Sequence, residues 1–132
     1  MLGFLFGRKS PFVPPERWQE LPAGDESLRI NRALEDWEER FDFGVLCRVT
    51  LPRPGSDPGI VEDRLRTLGA GRGRAVLAVV KATPREVTYL AYAASLHEAG
   101  ALRKALLAEH PALAFTVERD NFWQVYRELL PL

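Results

Sequence analysis

The order of hydrophobic periodicities after residue 43 restricts the fold of this chain more than any other feature. The stretch GVLCRVTL has apolar side chains at every second position, which predicts a strand with one buried face. Apolar residues at helical spacing follow, and the two periods then alternate to the end of the chain. The predicted order is strand, helix, strand, strand, helix, strand, helix, over residues 44–51, 57–68, 75–81, 86–93, 95–110, 112–118 and 122–130.

Residues that begin helices support these limits. Asp57 stands directly before the first helical run and is a good N-cap residue. Ser95 and Glu98 form the S-x-x-E capping box at the start of the second helix. Asp120 or Asn121 is expected to cap the last helix.

The element order predicts an α+β fold of the ferredoxin-like class, a βαββαβ antiparallel sheet over residues 43–132. Residues 1–42 are expected to form an N-terminal arm with one amphipathic helix over 26–41, and Trp18 and Leu21 to anchor a short helical turn before it. A C-terminal helix completes what we expect to be a single compact unit. The helix of the arm is predicted from the spacing of Ile30, Leu34, Trp37 and Phe41.

One face of such a sheet carries no helices. By alternation along the strands, this open face would carry Leu46, Leu90 and Tyr92 beside polar side chains such as Arg48. Exposed apolar patches of this kind mark interfaces. We therefore expect the two terminal segments of the chain, or a second subunit, to cover the open face.

The glycine-rich stretch LGAGRGR, residues 68–74, resembles at first sight a loop that holds phosphate. Phosphate-binding loops follow a strand and lead into a helix, whereas this stretch follows a helix and leads into a strand. The loop is therefore predicted to be structural, with Gly69 as a left-handed helix C-cap. Arg72 and Arg74 stay candidate exposed donors.

The composition bears on the functional class. The chain has 18 basic and 18 acidic side chains, and a net charge of zero does not favour a generally basic nucleic-acid binder. Residues 16–42 carry a net charge of −5 and residues 48–85 a net charge of +5, which indicates two faces that attract each other or one charged face for a partner. The single cysteine, Cys47, lies in an apolar run, and His97 and His110 lack partners at zinc spacing. We expect no metal site, no cofactor and no catalytic residue.

The beginning of the chain is apolar for six residues and then basic. A secretory signal has the opposite order and a longer apolar run, and no other run approaches transmembrane length. With only one cysteine, these features predict a cytoplasmic protein without membrane contact. The excess of arginine over lysine is typical of a GC-rich bacterial genome.

Three stretches resemble a bacterial domain-of-unknown-function family, number 695: DPGIVEDRLRTL, REVTYLAY and ERDNFWQVYRELLPL. The resemblance covers residues 43–132. It implies a ferredoxin-like fold similar to the regulator of ribonuclease activity B family, which acts by binding a nuclease, and at most a binding role with no catalytic residues. The matching positions are Gly59 with Glu62, Arg85 and Glu86 with Tyr89 and Tyr92, and Asp120 with Trp123 and Tyr126.

The first functional hypothesis is a non-catalytic regulatory or scaffold domain that binds another protein. Trp123, Tyr126 and Arg127 are its candidate contacts, because these residue types dominate interface energetics. Alternatively, Trp123 and Tyr126 pack the last helix against the core. A homodimer is compatible with the hypothesis, since it would bury the open sheet face.

The second hypothesis is binding of RNA or single-stranded DNA on the open sheet face, by stacking of bases on Tyr92 or Tyr89. An enzyme ranks third, because titratable groups such as His97 and Asp120 form no known catalytic constellation. The cationic side chains that would assist nucleic-acid binding are Arg48, Arg72, Arg74 and Lys81.

Overall fold

The computed structural model of the protein describes residues 13–71 and 74–131. Over these residues the chain forms six strands and three α-helices, with 3-10 turns at Arg32–Leu34 and Glu38–Asp42. The elements are β1 (Trp18–Ala23), β2 (Glu26–Asn31), β3 (Val45–Pro52), α1 (Pro58–Ala70), β4 (Ala75–Ala82), β5 (Glu86–Ala93), α2 (Leu96–Glu109), β6 (Ala114–Arg119) and α3 (Gln124–Leu129).

The six strands form one antiparallel sheet in the order β1-β2-β4-β5-β3-β6. The predicted α+β class is therefore confirmed. All four strands predicted after residue 43 are present, as are the three helices predicted there. The sheet is larger than predicted, because β1 and β2 extend it beyond the edge of β4.

The N-terminal arm differs from the prediction. Residues 26–31 are a strand and not the start of a helix, and Trp18 begins a strand and not a helical turn. The helical spacing is misleading here, because Ile30 pairs across the sheet with Val79 and the chain then turns through 3-10 geometry. The predicted amphipathic helix is wrong, since backbone pairing with β4 outweighs a local apolar stripe. The apolar residues Leu2, Phe4, Leu5 and Phe6, which a homodimer could bury together with the open sheet face, lie outside the described residues.

The two faces of the sheet carry separate cores. Side chains of β3 alternate between them, with Val45 and Cys47 on opposite sides from Leu46. We call the face under α1 and α2 the helix face. We call the opposite face the groove face; its buried cluster contains Ile30, Leu34, Phe43, Leu46, Val76, Ala78, Val79, Leu90, Tyr92, Trp123 and Tyr126.

The predicted N-caps of the first two helices are confirmed, and the predicted role of Gly69 is wrong. The Asp57 side chain accepts a hydrogen bond from Gly59 N, and the Ser95 hydroxyl accepts one from Glu98 N. Gly69 lies inside α1 and is not its C-cap. Glycine is required there because the helix passes directly against the first residue of β4.

Candidate functional site

An aromatic cluster covers one end of the groove face, where β3 begins and β5 ends. The ring of Trp123 stacks on Tyr92 with centroids 3.9 Å apart and meets Tyr126 edge-on at 5.3 Å. The Trp123 indole donates a hydrogen bond of 2.8 Å to the Phe43 carbonyl, and the Tyr126 hydroxyl donates one of 2.7 Å to the Asn31 carbonyl. The segment around α3 is thereby tied to the end of β2 and to the residue two before β3.

The aromatic rings that were predicted as candidate contacts for a partner are packed inside the protein. Tyr92 and Trp123 are fully buried, and Tyr126 is 1% exposed. Tyr89, the other ring considered for base stacking, is also fully buried, and its hydroxyl donates a 2.8 Å hydrogen bond to the Pro58 carbonyl on the helix face. The alternative reading, in which Trp123 and Tyr126 pack the last helix on the core, describes their environment.

Asp120 holds the segment around α3 in position over the aromatic cluster. Its carboxylate accepts hydrogen bonds from Gln124 N at 2.8 Å and Val125 N at 3.0 Å. It thus satisfies the first two N–H groups of α3, although the N-cap position is occupied by Trp123 and not by Asp120 or Asn121 as predicted. It also accepts a 2.7 Å hydrogen bond from the Tyr92 hydroxyl. Burial raises the pKa of Tyr92, and the hydrogen bond to Asp120 raises it further. The carboxylate named as a candidate acid is thus engaged in structural hydrogen bonds.

The other half of the groove face is open and forms a groove of about 470 Å³. Its floor is the apolar surface of the sheet, and the side of α3 forms one wall. A smaller depression of about 280 Å³ adjoins it and shares Leu28, Lys81 and Leu129. The groove is lined by Leu28, Arg48, Val79, Lys81, Thr83, Glu86, Thr88, Leu90, Val125, Glu128 and Leu129.

Two cationic side chains line this groove, and they differ in whether they form an ion pair. Arg48, a predicted site residue, forms an ion pair of 2.8 Å with Glu118 on the neighbouring strand β6. Lys81 is exposed and lies on β4 between Leu28 and Thr88 of the adjacent strands. Among the described residues Lys81 forms no ion pair. Its ammonium group is therefore available to an anionic group in the groove.

Arg74 and Arg127, two further predicted contacts, lie outside the groove. Arg74 is exposed and its guanidinium lies 5.7 Å from the centre of the Phe43 ring. Arg127 is exposed on α3 beside Gln124 and Glu128. Arg72 lies outside the described residues. Of the candidate residues that the structure describes, Arg48 and Lys81 line the groove.

A second polar cluster joins β2 to α1 on the helix face. The carboxylate of Glu62 binds the guanidinium groups of both Arg29 and Arg66, and its side chain is 13% exposed. Both guanidinium groups lie 5.5 Å from the centre of the Trp18 ring, and Arg66 also pairs with Glu16 at 3.3 Å. Burial acts to raise the pKa of Glu62, but the hydrogen bonds and charges of the two arginines lower it overall. This cluster fastens the N-terminal hairpin to the domain.

We expect Glu62→Gln to lower the free energy of unfolding by about 2 kcal/mol at neutral pH, because two charge-assisted hydrogen bonds are weakened. The folded-state pKa of Glu62 is lowered from 4.5, so its ionic contribution is present above that value and is lost as the pH falls through the folded-state pKa. Urea unfolding at pH 7 and at about pH 3 measures the difference. Asp63→Asn is the matched control, since Asp63 is 85% exposed and 3.8 Å from Arg66. A difference between wild type and Glu62→Gln that is unchanged at low pH would contradict this account.

The groove could be recovered from the sequence only in part. Leu90 and Thr88 follow from strand alternation on β5, and they were expected on the open face. Leu28, Val125 and Leu129 were missed, because β2 was interpreted as a helix and the position of α3 was unknown. The alternation of Leu28 and Ile30 with polar neighbours was the signal that could have identified β2.

Within residues 13–71 and 74–131, no group of three or more His, Cys, Asp or Glu side chains is arranged to hold a metal ion. Cys47 is fully buried, and burial raises the pKa of its thiol to about 12. Over the same residues, no helix has the length and apolar character needed to cross a bilayer. No protein-family model matches this chain, and no curated protein matches it either.

Proposed function

We propose that this protein is a non-catalytic regulatory or scaffold domain that binds a segment of another protein in the groove. The observation that carries the proposal is the half-covered sheet face. One end is closed by Trp123 and Tyr126, whereas the other end opens into a groove. The partly exposed apolar residues of this groove are Leu28, Val125 and Leu129. Concave apolar surfaces with a few polar groups are where proteins bind ligands and partner side chains.

The lining indicates the chemistry of the partner segment. Leu28, Val125 and Leu129 are partly exposed and offer apolar contacts, and Thr88 offers a hydroxyl group. Lys81 lines both the groove and the adjoining depression. The partner that fits is a polypeptide segment with apolar side chains and an acidic residue that pairs with Lys81.

We also propose the finer assignment of the fold and family. In chain order β3, α1, β4, β5, α2 and β6 follow a βαββαβ pattern, and their strands are adjacent in the order β4-β5-β3-β6. This supports a ferredoxin-like unit to which β1 and β2 add a hairpin at the β4 edge. The resemblance to family 695 covers the same residues and supports a binding role.

A selection experiment tests the proposed function. A phage-displayed library of random linear peptides is selected on the full chain, and the affinities of synthetic peptides are measured by calorimetry. We expect selected peptides to combine apolar residues with an acidic one, and Lys81→Glu to weaken their binding by about 10-fold or more, because attraction becomes repulsion. Lys104→Glu on α2 is the matched control, since Lys104 is also an exposed lysine.

Footprinting provides a second readout on the same peptides. Acylation of lysines should be slowed at Lys81 and unchanged at Lys104 when a peptide is bound. Equal losses of affinity in the two lysine variants would overturn the proposal. A parallel titration with polyuridylate tests the nucleic-acid alternative. Polyuridylate binding that weakens steeply with salt and depends on Lys81 would identify the groove as a nucleic-acid binding site.

A further inference from the structure

The two edges of the sheet differ in the backbone groups that they present. In the β3–β6 pair, Asp120 N donates a 2.8 Å hydrogen bond to Gly44 O, in register with the rest of the ladder. Hydrogen-bonded and non-hydrogen-bonded pairs alternate in an antiparallel ladder. The N–H and C=O groups of Phe115, Val117 and Arg119 therefore point away from β3, toward an edge at which no other described strand pairs.

The opposite edge is interrupted. Arg32 N donates to Arg17 O at 2.7 Å in register with the β1–β2 pairs, so the backbone groups of Trp18, Glu20 and Pro22 point outward. Proline has no N–H group, and an outward-pointing proline is a common device that prevents another strand from pairing. β1 is thus a protected edge.

β6 has no such protection. Its sequence AFTVER contains neither proline nor lysine, and five of its six residues are exposed. Val117 is one of the large apolar residues of the described chain left exposed, at 39%. A strand edge with unpaired donors and acceptors is a template for another strand.

We propose that β6 pairs with β6 of a second copy of this chain, antiparallel and about a two-fold axis at Thr116. A continuous sheet requires residues on the same face to be opposite each other, which this axis satisfies. Phe115 is then opposite Val117 of the second copy in a hydrogen-bonded pair, and the reverse pair follows by symmetry. Thr116 is opposite Thr116 of the second copy, and both kinds of pair stabilise sheets.

Charge favours the second copy as the occupant. With the axis at Thr116, Glu118 is opposite Ala114 of the other copy, so no like charges are opposite each other within β6. Glu118 keeps its ion pair with Arg48 on the groove face of its own copy. Because each copy uses the one unprotected edge of the sheet that residues 13–71 and 74–131 form, association stops at a closed dimer with a continuous sheet of twelve strands.

Sedimentation of the full chain tests the oligomeric state. At concentrations up to about 1 mM, we expect a species of twice the 14.9 kDa chain mass. Val117→Pro removes an N–H group that points away from β3, so the pairing of β6 with β3 keeps its hydrogen bonds. The dimer loses two of the four backbone hydrogen bonds across the axis, so dimerisation should weaken by about 30-fold. Far-UV circular dichroism reports whether this variant is folded. A wild-type chain that stays at 14.9 kDa, or that grows beyond a dimer, overturns the proposal.

Cross-linking tests the register without relying on a proline. Opposite Thr116 positions have Cα atoms about 4.5 Å apart, within the range of a disulfide. Thr116→Cys should therefore form a disulfide-linked dimer on mild oxidation, seen on a non-reducing gel, because the native Cys47 is fully buried. Ala114→Cys is the matched control, since it is exposed on the same strand and face but about 13 Å from its counterpart. Equal cross-linking of the two variants, or none in Thr116→Cys, would overturn the proposed pairing.

Discussion

Replacing Trp123 by alanine is expected to lower the free energy of unfolding by about 4 kcal/mol. The indole is fully buried, and its loss removes the stack on Tyr92, the edge contact with Tyr126 and the hydrogen bond to the Phe43 carbonyl. The cavity would lie where α3 covers the sheet, so the whole segment around α3 should pack less tightly on the sheet. Urea unfolding followed by far-UV circular dichroism measures the change.

Two further variants identify the cause of the loss. Phe122→Ala changes the adjacent aromatic residue, which is 72% exposed, and should stay within about 0.5 kcal/mol of wild type. Trp123→Phe keeps an aromatic ring but leaves the Phe43 carbonyl without its donor, so an intermediate loss is expected. If Phe122→Ala and Trp123→Ala lowered the free energy of unfolding by similar amounts, the aromatic cluster would not be what holds α3 on the sheet.

Gly69→Ala is expected to cost about 2 kcal/mol. A Cβ atom at Gly69 would lie closer than 3.0 Å to the backbone carbonyl oxygen of Ala75, a separation that real Cβ atoms essentially never show. The end of α1 and the start of β4 would have to move apart, because the obstacle is backbone and not a flexible side chain. Thermal and urea unfolding of the variant measure the cost.

Gly100→Ala is the matched control on the other long helix. Gly100 is exposed on α2. Apart from its chain neighbours and the backbone of its own helix, no heavy atom of the described residues lies within 4 Å of its ideal Cβ position. Alanine has the higher helix propensity, so this variant should be more stable than wild type by about 0.5–1 kcal/mol. The two substitutions are chemically identical and are expected to differ in sign. A stabilised Gly69→Ala would contradict the close approach of α1 and β4.

The elements after residue 43 could be predicted because each carries its own local signal. The period of two in β3 and the capping box at Ser95 and Glu98 act within a few residues of the chain. The N-terminal hairpin could not be predicted in this way. Ile30 and Leu34 are buried as their helical spacing suggested, but they reach the core from a strand and a 3-10 turn.

The site was less predictable than the fold. The alternation of side chains along each strand correctly assigned Tyr92 and Arg48 to the face without the two long helices. It could not indicate that Tyr92 lies under Trp123 whereas Arg48 lies beside an open groove. That difference depends on where α3 crosses the sheet, which is set by the hydrogen bonds of Asp120 and Trp123 to distant residues.

Local sequence was sufficient for the order of elements from β3 onward, for the side of the sheet on which each strand residue lies, and for the N-caps at Asp57 and Ser95. These features depend on backbone periodicity and on hydrogen bonds between residues close in the chain. The addition of β1 and β2, the burial of the aromatic cluster and the position of the groove were decided only by the tertiary structure. They arise from contacts such as that between the Tyr126 hydroxyl and the Asn31 carbonyl, 95 residues apart in sequence. Contacts at such separations depend on how whole elements pack, which no local pattern encodes.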